Sequence, residues 1–97
     1  MLSILSKDSE GVCYICHDTY FIEEHHIFFG ARHRKISDKN GFTVHLCQEH
    51  HRGTMGVHGR LGHNLDLMLK RECQKTYELK HSREEFMSLI HKNYLED

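Results

Sequence analysis

Apolar positions change spacing along this chain, and each change marks an element. Glu23 to Phe29 (EEHHIFF) carries β-branched and aromatic residues at a density that predicts a strand. Phe42 to Leu46 (FTVHL) alternates apolar and polar positions and predicts the return strand, with Lys39-Asn40-Gly41 supplying turn chemistry before it. Between them, Gly30 to Gly41 (GARHRKISDKNG) reads as a long basic loop holding one short helical turn from Ser37. Cys47 opens a short helix through Arg52, broken by Gly53 and Gly56. From Asn64 to about Lys80 the spacing becomes helical. Leu65, Leu69, Cys73 and Thr76 recur at three and four residues, and Leu67, Met68 and Tyr77 widen the apolar face. Ser82-Arg83-Glu84-Glu85 matches a capping box and starts a last helix through about His91, with Phe86, Leu89 and Ile90 inward.

Residues 12–16 form a knuckle around two cysteines, and the polar residues 1–10 are expected to fray. No internal repeat or linker divides the chain. The expectation is one α+β domain over residues 1–97, with a knuckle and ββα core over about 12–60 and two packing helices over about 63–95.

Size makes that fold marginal. A chain of 97 residues buries only about two-thirds of its unfolded surface. With 38% hydrophobic residues and no Trp, it needs a staple: a disulfide, a metal or a partner subunit. No apolar run reaches the length of a membrane span, and the first seven residues are too short for a signal peptide. The expected setting is intracellular and cytoplasmic, with no membrane partner.

Histidine supplies eleven of the 97 residues, against a usual frequency of roughly two per cent. His25, His26, His33, His45, His50, His51 and His58 all fall between positions 25 and 58. Charge is also uneven along the chain, whose overall formal net charge is −1. Arg32, Arg34, Lys35, Lys39, Arg52 and Arg60 give the histidine-rich third an excess of positive charge, while the flanking segments are acidic. Such a patch suits phosphate contacts, as it also suits a solvated loop.

Cys13 and Cys16 form Cys-x-x-Cys, and Cys47 with His50 forms Cys-x-x-His. Two pairs at this separation suit one tetrahedral structural zinc. Adjacent Cys-x-x-Cys partners make poor structural disulfides, and no βαβ pattern surrounds Cys13 to suggest a thioredoxin-like redox motif. Cys73 stands alone in a helical pattern, as a buried small hydrophobe would. His25 and His26 are consecutive on a strand, so they point to opposite faces. His51 lies on the first turn of the helix that follows the second strand, where it can meet one of them around a second metal.

From Cys13 to His58 the chain resembles the HNH, or ββα-metal, nucleases, and is similar to small phage-type members with HHIFFG, a basic loop and a strand ending in LC-x-x-H-H. The resemblance implies that Cys13, Cys16, Cys47 and His50 hold structural Zn²⁺. It implies that His25 and His51 hold a catalytic divalent metal (Mg²⁺, Mn²⁺, Ni²⁺ or Zn²⁺), and that His26 is the general base. His58, in Gly-Val-His-Gly, is a further candidate for the metal shell. The chain departs from the family at the middle Asn, whose position falls on Phe42, while Asn40 is out of register by two.

The implied activity is metal-dependent hydrolysis of phosphodiester bonds in nucleic acid, with DNA as the expected substrate. An ordinary imidazole, titrating near 6.5, is largely free base at neutral pH and suits proton removal from water. Arg32, Arg34 and Lys35 are the candidate nucleic-acid contacts. The alternative is a noncatalytic zinc-binding module for nucleic acid or a protein partner, which the missing Asn favours.

Overall fold

The computed structural model describes residues 3–95. The order of elements is β1 (Ile22–His26), α1 (Ala31–Asn40), β2 (Thr43–Cys47), α2 (Gln48–Arg52), α3 (His63–Tyr77) and α4 (Arg83–Ile90). The fold class is α+β. β1 and β2 pair antiparallel, with Glu24 opposite His45, His25 opposite Val44 and His26 opposite Thr43. Strand alternation then separates the two consecutive histidines. His25 is 1% exposed, whereas His26 is only half-buried.

β1 stops at His26, short of the expected Phe29, because Ile27 and Phe28 turn into the core. The larger correction follows it. The segment read as a basic loop is the ten-residue helix α1, which starts at Ala31 and not at Ser37. Its own pattern offers almost no apolar face, so local hydropathy did not predict it. A polar anchor holds it in place. The buried Ser37 hydroxyl donates to the Phe28 carbonyl (2.7 Å) and accepts the Phe28 N–H (3.1 Å), tying α1 to the chain leaving β1. Gly41, at a left-handed φ of 72°, ends the helix and donates its N–H to the Ser37 carbonyl.

The amino-terminal segment is likewise better anchored than its polarity suggested. Leu5 belongs to the core, and the Ile4 N–H donates to the Gly41 carbonyl (2.9 Å). The buried Asp8 carboxylate accepts the backbone N–H of His45 (2.7 Å) and pairs with its Nδ1 (2.8 Å). The expected fraying at Met1 and Leu2 lies outside the described residues.

α3 ends at Tyr77, three residues before the expected Lys80. Its last carbonyls are taken by a tightened turn in which Leu79 and Lys80 donate to Thr76 and Tyr77. α4 follows the sequence closely. Ser82 Oγ accepts the Glu85 N–H while the Glu85 carboxylate accepts the Ser82 N–H, the reciprocal capping box. Phe86 and Ile90 are buried by this helix, and Phe28, Phe42 and Phe86 pack with ring centroids 5.6–6.2 Å apart. Cys73 is buried among them, and burial pushes its thiol pKa upward. No helix among the described residues is long and apolar enough to cross a membrane.

Candidate metal centres

Cys13 and Cys16 are presented by a turn before β1, and Cys47 and His50 by the end of β2 and the first turn of α2. The turn closes where the His17 N–H donates to the Cys13 carbonyl (2.9 Å) and His17 adopts a left-handed φ of 64°. The four ligand atoms lie within 4.8 Å of one another. Cys16 Sγ is 3.8 Å from Cys47 Sγ, and His50 Nδ1 is 3.7 Å from Cys13 Sγ and 3.2 Å from Cys47 Sγ.

A tetrahedral zinc with ordinary bond lengths needs S···S edges of about 3.8 Å and S···N edges of about 3.6 Å. The Cys16–Cys47 and Cys13–His50 distances match these edges and the Cys47–His50 distance is shorter, and the cluster could bind a metal such as zinc. All four cysteines are free, which excludes the rival disulfide in this structure. Burial alone would raise the Cys13 pKa, yet backbone N–H groups of Cys16, Cys47 and Ile15 draw it down to about 7. A thiol that ionises this readily is prepared for a cation.

The second constellation lies beyond the other side of α2. His25 from β1, His51 from α2 and His58 from the following loop bring one ring nitrogen each within 4.8 Å. Their ring centroids form a nearly equilateral triangle of 5.1, 5.1 and 5.0 Å. His50 and His51 reach separate clusters because consecutive helical residues point about 100° apart. His25 Nε2 is buried without a hydrogen-bond partner. Burial first, and then the neighbouring imidazoles, hold the His25 pKa down to about 3; burial also lowers His58. The buried ring is therefore neutral at pH 7, and its Nε2 has no partner within the protein. Three imidazoles that each bring a ring nitrogen this close could hold a transition-metal ion.

Glu23 supports this cluster from behind. Its carboxylate accepts from His51 Nδ1 (2.8 Å) and pairs with Arg52. The His51 hydrogen bond, helped by Arg52 and opposed by burial, holds the Glu23 pKa below the ordinary range. This fixes the ring so that His51 Nε2 faces inward, the carboxylate–histidine arrangement found behind many metal ligands. The sequence reading missed Glu23. Its signal was present, since Glu23 and His25 are two apart on one strand and share a face.

Glycine places His58. Gly53, Gly56, Gly59 and Gly62 recur every third residue, and each N–H from Gly56 onward donates to the carbonyl of the preceding glycine. The loop coils back on α2, where Val57 and His58 donate to the carbonyls of His50 and His51 (2.9 and 3.0 Å). A Cβ on Gly59 would lie 1.9 Å from the Gly53 carbonyl oxygen, so backbone must move to admit it. Gly59→Ala is expected to cost about 1–3 kcal/mol, the usual range for overpacking. Thermal unfolding of purified protein measures it, and an unchanged midpoint would show that the coil tolerates a side chain.

His26 lies beside the triangle. A cleft of about 240 Å³ is lined by His25, His26, His51 and His58 together with Phe29 and Arg34. His26 Nε2 faces Asp38 of α1 at 3.4 Å, a contact that reading α1 as a loop concealed. Glu24 also reaches within 4.8 Å of this pair. Asp38 is 72% exposed and no buried atom there lacks a partner, so a solvated acid–imidazole contact accounts for the arrangement. Arg32, Arg34 and Lys35 are all exposed on α1, and Arg34 is the one of the three that lines the cleft. Phe42, at the family's Asn position, is fully buried in the core and takes no part in either cluster. A larger cleft between Ile4 and the end of α3 is mostly apolar and contains none of these ligands.

No protein-family model, no curated protein and no solved structure matches this chain.

Proposed function

We propose that this protein is a metal-dependent endonuclease of the HNH type, with a ββα-metal core stapled by structural zinc, that hydrolyses phosphodiester bonds in DNA. The observation that carries the reading is the His25–His51–His58 triangle, with a buried, unpartnered Nε2 beside a fourth histidine and a basic helix. Those three imidazoles would hold a divalent ion, which would supply Lewis acidity for phosphodiester hydrolysis.

The remaining work falls to side chains. With its proton on Nε2, directed at Asp38, His26 presents the Nδ1 lone pair to take a proton from the attacking water. Arg34 at the cleft wall, with Arg32 and Lys35 on the same helix, draws the phosphodiester backbone toward the site. Such contacts fix position without reading sequence. Cys13, Cys16, Cys47 and His50 would hold the structural zinc, which would keep β2 and α2 against the amino-terminal turn.

A noncatalytic zinc module that binds nucleic acid or a protein is the second reading. The burial of Phe42, which leaves the family's Asn position empty of chemistry, favours it. Supercoiled plasmid incubated with the protein and Mg²⁺, Mn²⁺, Ni²⁺ or Zn²⁺ separates the two. A nuclease converts it to nicked or linear forms and stops on addition of chelator. Plasmid that stays supercoiled with all four ions, but is retarded on a gel, supports the binding module.

A further inference from the structure

Phe28 and Phe29 are adjacent in the chain and part company in the fold. Phe28 is 1% exposed in the core, whereas Phe29 is 41% exposed and lies outside the core cluster. Gly30, at a φ of 98° that a side chain would strain, turns the backbone from Phe29 into α1. Of the large hydrophobic residues exposed among those described, Phe29 is the one that lines the histidine cleft, together with Arg34.

An exposed apolar residue on its own needs no explanation. This ring differs because it is held. Lys70 Nζ lies over it, 4.6 Å from the centroid. That ammonium is fixed in turn by the Asp66 carboxylate at 2.9 Å and by the Tyr94 ring at 5.6 Å. The Lys70 and Asp66 side chains are both only 13% exposed, so the cation backs the ring from within the protein. On the side of the site, the Phe29 ring lies 4.8 Å from the His58 ring and 6.0 Å from the His25 ring. The part of Phe29 that these neighbours leave uncovered is open to whatever enters the cleft. An aromatic surface, a guanidinium and three imidazoles then share one small cavity. Together they suit a nucleotide, with its base for the ring and its phosphate for Arg34 and the histidine site.

We propose that Phe29, backed by Lys70, is a stacking platform for a nucleobase next to the phosphate in the cleft, so that the site takes single-stranded or locally unpaired DNA in preference to intact duplex. In a duplex both faces of a base are covered by its neighbours, and it must leave the stack to meet an aromatic side chain. A single strand meets that cost far more easily. The ring is also pre-set by its cation, which reduces the ordering that binding would otherwise require. The inference rests on reading the histidine cleft as a nucleic-acid site, and it does not require that the site cuts.

The chain contains no Trp, so Phe29→Trp places a single fluorescent reporter at the platform. Oligo(dT), added to protein whose cysteine cluster is filled with zinc, is expected to quench that tryptophan. The same strand paired with oligo(dA) is expected to leave it unchanged. In anisotropy titrations wild type should bind oligo(dT) more tightly than the duplex. Phe29→Ala and Phe29→Leu should weaken single-strand binding by about 5–150-fold, the range for one lost stacking contact, with duplex binding near wild type. Phe29→Tyr keeps the ring and should keep the affinity. Leu retains most of the bulk, so it separates stacking from filling, and circular dichroism checks that each variant is folded.

Wild-type affinity for oligo(dT) in Phe29→Leu overturns the proposal, as does tighter binding of duplex than of single strand. So does an equal loss on both forms, the result for a purely structural ring, and so does a Phe29→Trp signal that oligo(dT) leaves unchanged. If Phe29→Ala does not fold, Phe29→Leu and the tryptophan signal decide. Wild type that binds neither form overturns the nucleic-acid reading and this inference together. Phe29-dependent binding without cleavage overturns only the nuclease.

Discussion

Removing the ion from the Cys13, Cys16, Cys47 and His50 cluster is expected to unfold the protein. The cluster ties the turn before β1 to the junction of β2 and α2, where the Tyr14 N–H also donates to the His45 carbonyl. Structural zinc in small sites contributes on the order of 10 kcal/mol, while a domain of this size is stable by about 5–15 kcal/mol in all. Losing the ion therefore removes most or all of the margin. Cys47→Ala should do the same, since it removes one of the four ligands from a buried position. Elemental analysis should return one tightly held zinc per chain at this cluster, and strong chelator should collapse the circular dichroism signal. Zinc-free protein with an unchanged spectrum would remove the staple from the account.

His26→Ala is expected to lower plasmid cleavage by about two to four orders of magnitude, the usual range for a lost general base. The change deletes no member of either metal cluster, so metal content and nucleic-acid retention should stay near wild type. His51→Ala should differ in kind. It removes a corner of the triangle and abolishes divalent-dependent cleavage while the cysteine cluster keeps the protein folded. Measured together, the two variants separate proton transfer from metal binding. Normal cleavage by His26→Ala would assign the base to another group and move the motif out of register.

Much of the chemistry was legible because it is carried by identity at short spacing. Two Cys-x-x-Cys/His pairs announce a four-ligand cluster, and consecutive strand residues must face opposite ways, so His25 and His26 separate without any tertiary information. The capping box at Ser82 was equally local, since its two hydrogen bonds close within three residues. Even so, the sequence reading missed the carboxylates that contact His51 and His26. Glu23 could have been found by strand alternation. Asp38 could not, because its place beside His26 depends on a helix that the pattern did not contain.

What the sequence determined alone is the set of ligand types, the two-strand frame and the amphipathic helices, each a consequence of spacing within a few residues. What the tertiary structure decided is which groups meet across distance. α1 is a helix because buried Ser37 fits the backbone at Phe28, a polar match that hydrophobic periodicity cannot register. His58 joins the triangle because a glycine in every third position lets the loop coil closely onto α2. Phe42 was lost to the site because the core packs around it. Periodicity reports how a segment divides between core and water. It carries no term for a buried hydroxyl, a close backbone approach or a carboxylate brought in from 28 residues away, as Glu23 is to His51, and those three decided the site.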